Sequence, residues 1–367
     1  MSPRIWKLRG EGAFKYLELA AEARKRGLDE GLTGYGPSGG LPELREAVAE
    51  WLNAEYKTDV RPEEVIITAG AKAAIFAALM TVIEEGDEVI IPDPCYPAYE
   101  SIVRFLGGVP RPVALREERE WMLAANDLED AIASRTKAVI LNYPHNPTGS
   151  TISPHEIREI LGLAKERGLI VISDEIYDHY LYEGEHMPAI ADNEWREFVI
   201  YINGFSKTFS MTGWRLGFAV ADRHVIERME VAANNMYSCP ATFAQVAAKR
   251  ALEEGLEWFE KYFEEYKRRR DVLVKELRHV PGVDVVEPRG TFYVFPSVRE
   301  LLRLTGYSSV EKFAADLLFD TGVLLLPGTA FPFEVGRGHL RLSFTVPCER
   351  IREGIKSLRD WTYEKIA

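Results

Sequence analysis

Residues 205–217 read Phe205-Ser206-Lys207-Thr208-Phe209-Ser210-Met211-Thr212-Gly213-Trp214-Arg215-Leu216-Gly217. The apolar run Phe198-Val199-Ile200-Tyr201-Ile202 leads in with the character of a buried strand, and Leu216-Gly217-Phe218-Ala219-Val220 leaves as the next. One lysine and one arginine sit eight residues apart among small and aromatic neighbours. Poor solvation disfavours an ammonium in such company, so the lysine pKa falls. An amine that is partly neutral near pH 7 can attack an aldehyde and form a Schiff base. A loop lysine with its head in water would carry the same local sequence, so the rest of the chain decides between the two.

Upstream, apolar runs alternate with helical patterns. Val65–Thr68, Glu88–Ile91, Lys137–Leu141 and Leu169–Ser173 read as strands; Ala73–Ile83 and His155–Arg167 read as helices. This is the alternation of an α/β domain in three layers around a mostly parallel mixed sheet. Gly70-Ala71-Lys72, Tyr96, Asn146-Pro147-Thr148-Gly149 and Asp174 with Tyr177 all fall at carboxyl ends of these strands. Open α/β sheets bind ligands along that edge. Gly34, Gly36 and Gly39 spell G-x-G-x-x-G, but a charged helical pattern (Tyr16–Arg26) precedes them where a dinucleotide site needs a strand. The next helix opens at Pro42. After Ala221 the pattern turns to charged helices, Leu252–Arg278 the longest, then to short strands such as Phe292–Phe295 and Leu340–Phe344. The expected organisation is a large domain over 31–269 and a smaller α+β domain from 1–30 and 270–367.

At 367 residues the chain can bury a large core, and 46% hydrophobic with 28% charged residues is ordinary for a globular protein. A formal net charge of -12 argues against nucleic acid or an anionic membrane as the main partner. No apolar run approaches the ~20 residues of a spanning helix. Cys95, Cys239 and Cys348 are far apart and lack metal-type pairing, so a reducing, cytoplasmic setting is expected. Gln245 is the only glutamine while Glu, Lys and Arg abound, a bias of hyperthermophile proteins.

The ordered set YGPSGGLPELREA, NPTG, SDEIY and FSKTFSMTGWRLG resembles the pyridoxal-phosphate-dependent class I/II aminotransferases of fold type I, from about Thr33 to Arg341. The resemblance implies pyridoxal 5'-phosphate held on Lys207 as a Schiff base, with Lys207 also moving the substrate proton in a ping-pong cycle. It implies Asp174 at the pyridine nitrogen, Tyr177 and Asn146 at the phenolic oxygen, and Tyr96 stacked on the ring. Backbone amides of Ala71 and Lys72, with Ser206 and Arg215, would take the phosphate at a helix N-terminus, a natural anion site. Many relatives carry a serine three residues before the lysine, where this chain has Gly204. Arg341 matches the arginine that grips the substrate carboxylate by bidentate pairing. Gly10 would approach that carboxylate, and Tyr35 would reach the phosphate of a neighbouring subunit, which implies a homodimer. The implied substrates are an L-amino acid and a 2-oxo acid, 2-oxoglutarate with glutamate or aspartate by default. A C–S β-lyase on the same fold shares these motifs. A non-catalytic cofactor sensor with a DNA-binding module fits the negative charge poorly.

Overall fold

A computed structural model describes residues 32–367; Gly10 and the helix expected at 16–26 lie outside them. The first half contains α1 (Pro42–Tyr56), β1 (Val65–Thr68), α2 (Ala71–Val82), β2 (Glu88–Asp93), α3 (Ala98–Phe105), β3 (Val109–Ala114), α4 (Ala125–Ala131), β4 (Thr136–Asn142), α5 (Pro154–Glu166) and β5 (Ile170–Asp174). There follow β6 (Val199–Gly204), β7 (Gly217–Val220), α6 (Arg223–Tyr237), α7 (Thr242–Glu253) and α8 (Glu257–Leu277). The last part holds β8 (Tyr293–Val294), α9 (Arg299–Thr305), α10 (Val310–Thr321), β9 (Leu326–Pro327), β10 (Leu340–Ser343) and α11 (Cys348–Ile366).

Seven strands form one sheet in the order β1-β7-β6-β5-β4-β2-β3. Only β7 runs opposite to the other strands, pairing Val220 with Val65 on one side and with Tyr201 on the other. Side chains alternate along each strand, and the two parities feed two cores. Ile67, Leu141, Val171 and Tyr201 meet α1, α5 and α7, while Ile66, Ile140, Ile172 and Ile202 meet α2, α3 and α6. Burial on both faces explains why these strands read as continuous apolar runs. The three-layer expectation is met.

A second sheet, β8-β10-β9, is antiparallel and packs with α8, α10 and α11 around a third core. Tyr177, Tyr180 and Tyr182, which follow β5, are buried in that core, so the end of a central strand is stitched to the smaller sheet.

One expectation needs correction and one strand went unread. The helix read as Leu252–Arg278 is two helices, α7 and α8, parted at Gly255, whose φ of +72° suits a glycine at a helix end. Strand β3 was not anticipated, because Pro110 and Pro112 argue against a strand. It is the edge strand, and odd-numbered neighbours such as Val109 and Leu115 donate toward the β2 side. Both prolines therefore turn their missing N–H groups outward, where no ladder bond is lost.

Because β6 and β7 are antiparallel, the whole 205–216 connection stays on the carboxyl edge of the sheet. Gly204 pairs with Gly217 there. A Cβ on Gly217 would lie 2.4 Å from the Ala71 nitrogen, and one on Gly204 would lie 2.6 Å from Gly217 Cα. The absence of both side chains lets the start of α2 rest directly on β7. Gly217→Ala is expected to destabilise the fold by about 1–3 kcal/mol, read from the denaturant midpoint.

Candidate active site

Strands β2, β4, β5 and β6 end at Asp93, Asn142, Asp174 and Gly204, so polar side chains gather where the parallel strands stop. A cavity of about 370 Å3 opens there, lined by Ala71, Lys72, Tyr96, Asn146, Asp174, Tyr177, Ser206, Lys207, Arg215 and Arg341. These are ten of the twelve residues singled out from sequence. Of the other two, Gly10 lies outside the described residues. Tyr35 is 65% exposed and sits beside Leu32, Pro240 and Phe243, away from the cavity of its own chain. A second hollow of about 250 Å3, around Arg119, Trp121, Ser153 and Arg289, contains neither the lysine nor its partners.

At one end of the cavity, α2 begins at Gly70 with no side-chain cap and no acidic residue in its first turn. Ala71 and Lys72 N–H groups have no hydrogen-bond partner among the described residues. Gly70, at φ +87°, passes so close to Arg215 that a Cβ there would lie 2.5 Å from Nη2. Arg215 itself takes a left-handed φ of 55° and donates from Nη1 to the Thr212 carbonyl at 2.8 Å. Free amides at a helix start and a fixed guanidinium make a seat for an anion. Gly204 cannot contribute as a serine would, since its position is closed by Gly217.

At the other end lies Asp174, 4% exposed. Its Oδ2 accepts from Tyr99 Oη at 2.7 Å and its Oδ1 from the Ile176 N–H at 3.3 Å. Burial pushes its carboxyl from 3.8 up to about 6, against the opposing pull of the Tyr99 hydroxyl. Asn142 holds the backbone on both sides, donating to the Asp174 carbonyl at 2.8 Å and accepting from the Asn146 N–H at 3.1 Å. Lys207 lies between the two ends, its Nζ 5.5 Å from the Tyr177 ring and 5.4 Å from the Phe292 ring. Burial lowers its pKa, the Asp174 charge opposes that, and Arg341 and Arg215 add to it.

Arg341, on β10, reaches across from the smaller sheet. Its Nη1 donates to Asn146 Oδ1 at 3.0 Å, and its guanidinium lies 4.3 Å from the Tyr293 ring and 4.9 Å from the Phe331 ring. Tyr293 also accepts from Tyr177 Oη at 3.1 Å, and burial holds the Tyr177 hydroxyl well above its ordinary pKa. Tyr99, Asn142, Tyr293 and Phe331 are the site residues that sequence reading missed. Tyr99 stands three residues after Tyr96, one turn along and within reach of the same face, which was the available signal. The nearby Glu175 accepts from Ser173, Ala189 and His186, and no group of three or more potential ligands able to hold a metal occurs among the described residues.

An anion seat, a lysine with a lowered pKa and a buried carboxylate without a cation in hydrogen-bond contact lie along one cavity. That order of groups fits pyridoxal 5'-phosphate, whose phosphate, aldehyde and ring nitrogen ask for them. In the cofactor-free chain Asp174 holds its proton more tightly folded than unfolded. Its contribution to stability is therefore full below pH 4 and lost as pH rises through about 6. Asp174→Asn is expected to flatten that loss by up to about 3 kcal/mol between pH 4 and 8, read from urea unfolding of the cofactor-free protein.

The family model for aminotransferase class I and II matches residues 8–358. An aspartate aminotransferase of Sulfurisphaera tokodaii is 44% identical over 342 residues, 93% of this chain and 85% of that one. The crystal structure of an aromatic aminotransferase from Pyrococcus horikoshii OT3 matches with a TM-score of 0.85 at 36% identity, covering 98% of this chain and 94% of that one. An alanine aminotransferase from Pyrococcus furiosus matches with a TM-score of 0.85 at 32% identity, covering 99% and 100%. Motifs, cavity and relatives agree: this chain belongs to the class I and II aminotransferases and is a transaminase.

Proposed function

We propose that the chain moves an amino group between an acidic L-amino acid, aspartate or glutamate, and a 2-oxo acid, with 2-oxoglutarate as one partner, in a ping-pong cycle centred on Lys207. The observation that carries this reading is the meeting of Lys207, Asp174 and Arg341 in one cavity with the start of α2. When bound, pyridoxal 5'-phosphate supplies an electron sink that stabilises negative charge at the substrate Cα.

The chain's own residues have distinct tasks. Amides of Ala71 and Lys72, with Ser206 and Arg215, would hold the phosphate, and the Asp174 carboxylate would pair with the ring nitrogen. Tyr177 and Asn146 would donate to the phenolic oxygen, with Tyr96 against the ring. Arg341 binds the substrate α-carboxylate in a fixed plane, since two aromatic rings and Asn146 leave the guanidinium little freedom. Lys207 Nζ would hold the cofactor through its aldehyde carbon and would serve as the base that takes the proton from the donor Cα and returns one to the acceptor Cα. Its lowered pKa supplies the neutral amine that this requires.

Two features support acidic substrates. Lys72, Arg215 and Arg341 make the lining cationic, and Lys72 Nζ, 5.4 Å from the Tyr96 ring, has no carboxylate partner among the described residues. The Sulfurisphaera relative is named an aspartate aminotransferase. Exposure of Tyr35 beside Leu32 and Phe243 supports a homodimer in which each subunit lends Tyr35 to the other's phosphate site. The proposed division is a large domain over 31–269 and a small domain over 1–30 and 270–367.

Lys207→Ala should lower transamination by about 10^4-fold or more while the fold persists, measured by coupled oxo-acid assay; retained activity would refute the assignment. Lys72→Ala should cut kcat/KM for aspartate by about tenfold and leave alanine nearly unchanged, measured by steady-state kinetics on both donors.

A further inference from the structure

Asp93, the last residue of β2, is 4% exposed, and no lysine, arginine or histidine pairs with it among the described residues. Burial pushes its carboxyl up to about 6, and the backbone N–H groups of Glu334 and Val335 pull it back. Those two amides are its side-chain donors: Glu334 N lies 3.1 Å from Oδ2, and Val335 N lies 3.2 Å from Oδ2 and 3.3 Å from Oδ1. Both belong to the connection over 328–339 that joins β9 to β10, the strand carrying Arg341.

That connection is closed on itself. Gly328 N–H donates to the His339 carbonyl at 2.8 Å, and a Cβ on Gly328 would lie 2.1 Å from the Gly336 oxygen. His339, fully buried, meets Glu117 Oε1 through Nε2 at 2.9 Å. Within the loop Phe331 is 2% exposed, packs edge-on to Phe295 at 5.8 Å, and presents its ring to the Arg341 guanidinium at 4.9 Å. A continuous line of contacts thus runs from the end of β2 through the loop to the arginine.

We propose that Asp93 is a positioning residue for substrate binding: it holds the 328–339 loop against the large sheet so that Phe331, together with Tyr293, keeps Arg341 aimed at the substrate carboxylate. This rests on Arg341 being the carboxylate clamp. Asp93 touches no substrate. Its part is to accept two backbone N–H groups that otherwise lack an acceptor, and a loop released from that bond is free to shift the ring that confines Arg341. Oδ2 receives both amides, so a neutral oxygen in the same place can do the same work.

The test uses the holoenzyme and succinate, a dicarboxylate that cannot react, titrated by calorimetry alongside steady-state kinetics. Asp93→Ala should weaken succinate about tenfold and raise KM for donor and acceptor in step, with kcat within about twofold and cofactor retention unchanged. Asp93→Asn should recover succinate affinity to within about threefold of the parent. Phe331→Leu, which leaves Asp93 and its amides intact, should reproduce the loss. Wild-type succinate affinity in Asp93→Ala or in Phe331→Leu would overturn the proposal, and so would parallel loss of cofactor and succinate. Should Asp93→Ala fail to fold, Asp93→Asn and Phe331→Leu carry the same decision. Arg341→Ala separates the underlying reading: if it binds succinate as the parent does, the clamp assignment fails, whatever Asp93 does.

Discussion

Three backbones meet where β6, β7 and α2 converge, and they can do so only because Gly204 and Gly217 carry no side chains. Antiparallel β7 returns the chain beside β6, and the first turn of α2 then lies against β7 at contact distance. This approach brings free N–H groups next to Arg215 and within the same cavity as Lys207. Adding even a methyl group would force the helix start away from the sheet and separate the anion seat from the amine. The chemistry depends on that spacing before it depends on any charge.

The charged groups follow a second constraint. Asp174 and Lys207 are each kept from full solvation, and burial raises the pKa of one and lowers that of the other. Either shift alone would cost stability with no return. Together they leave a carboxylate that gains from a cationic nitrogen and an amine able to give up its proton. Tyr99, Asn142 and Tyr293 fix the geometry around them, through Asp174, the Asn146 backbone and Arg341 respectively. Stability is thus spent at the carboxyl edge of the sheet and recovered in the apolar cores on its two faces.

Much of this was legible in the sequence. Apolar runs of four or five residues, stopping at Leu141, Ser173 and Ile202, located both the strands and the edge that binds, because parallel strands are buried on both faces and stop where polarity resumes. Lys207, Asp174 and Arg215 were visible as polar residues in apolar surroundings or at strand ends. Tyr99, Tyr293 and Phe331 were not, since an aromatic residue has the same local signature whether it fills a core or orients a charge. The antiparallel direction of β7 was equally hidden; it follows from pairing, which no local pattern encodes. Gly255 was overlooked because charged, helix-forming residues flank it on both sides, and β3 because its prolines argue against a strand unless its place at the sheet edge is known.

That edge has a further consequence. On β3 the outward donors would come from residues 110, 112 and 114, and two of the three are proline. Only Ala114 offers an N–H in that direction within the strand. A foreign strand approaching there finds carbonyl acceptors but scarcely any donors, so it cannot complete a ladder. The exposed flank of a large, strongly apolar sheet is thereby protected from growth by strand addition, a common start of aggregation.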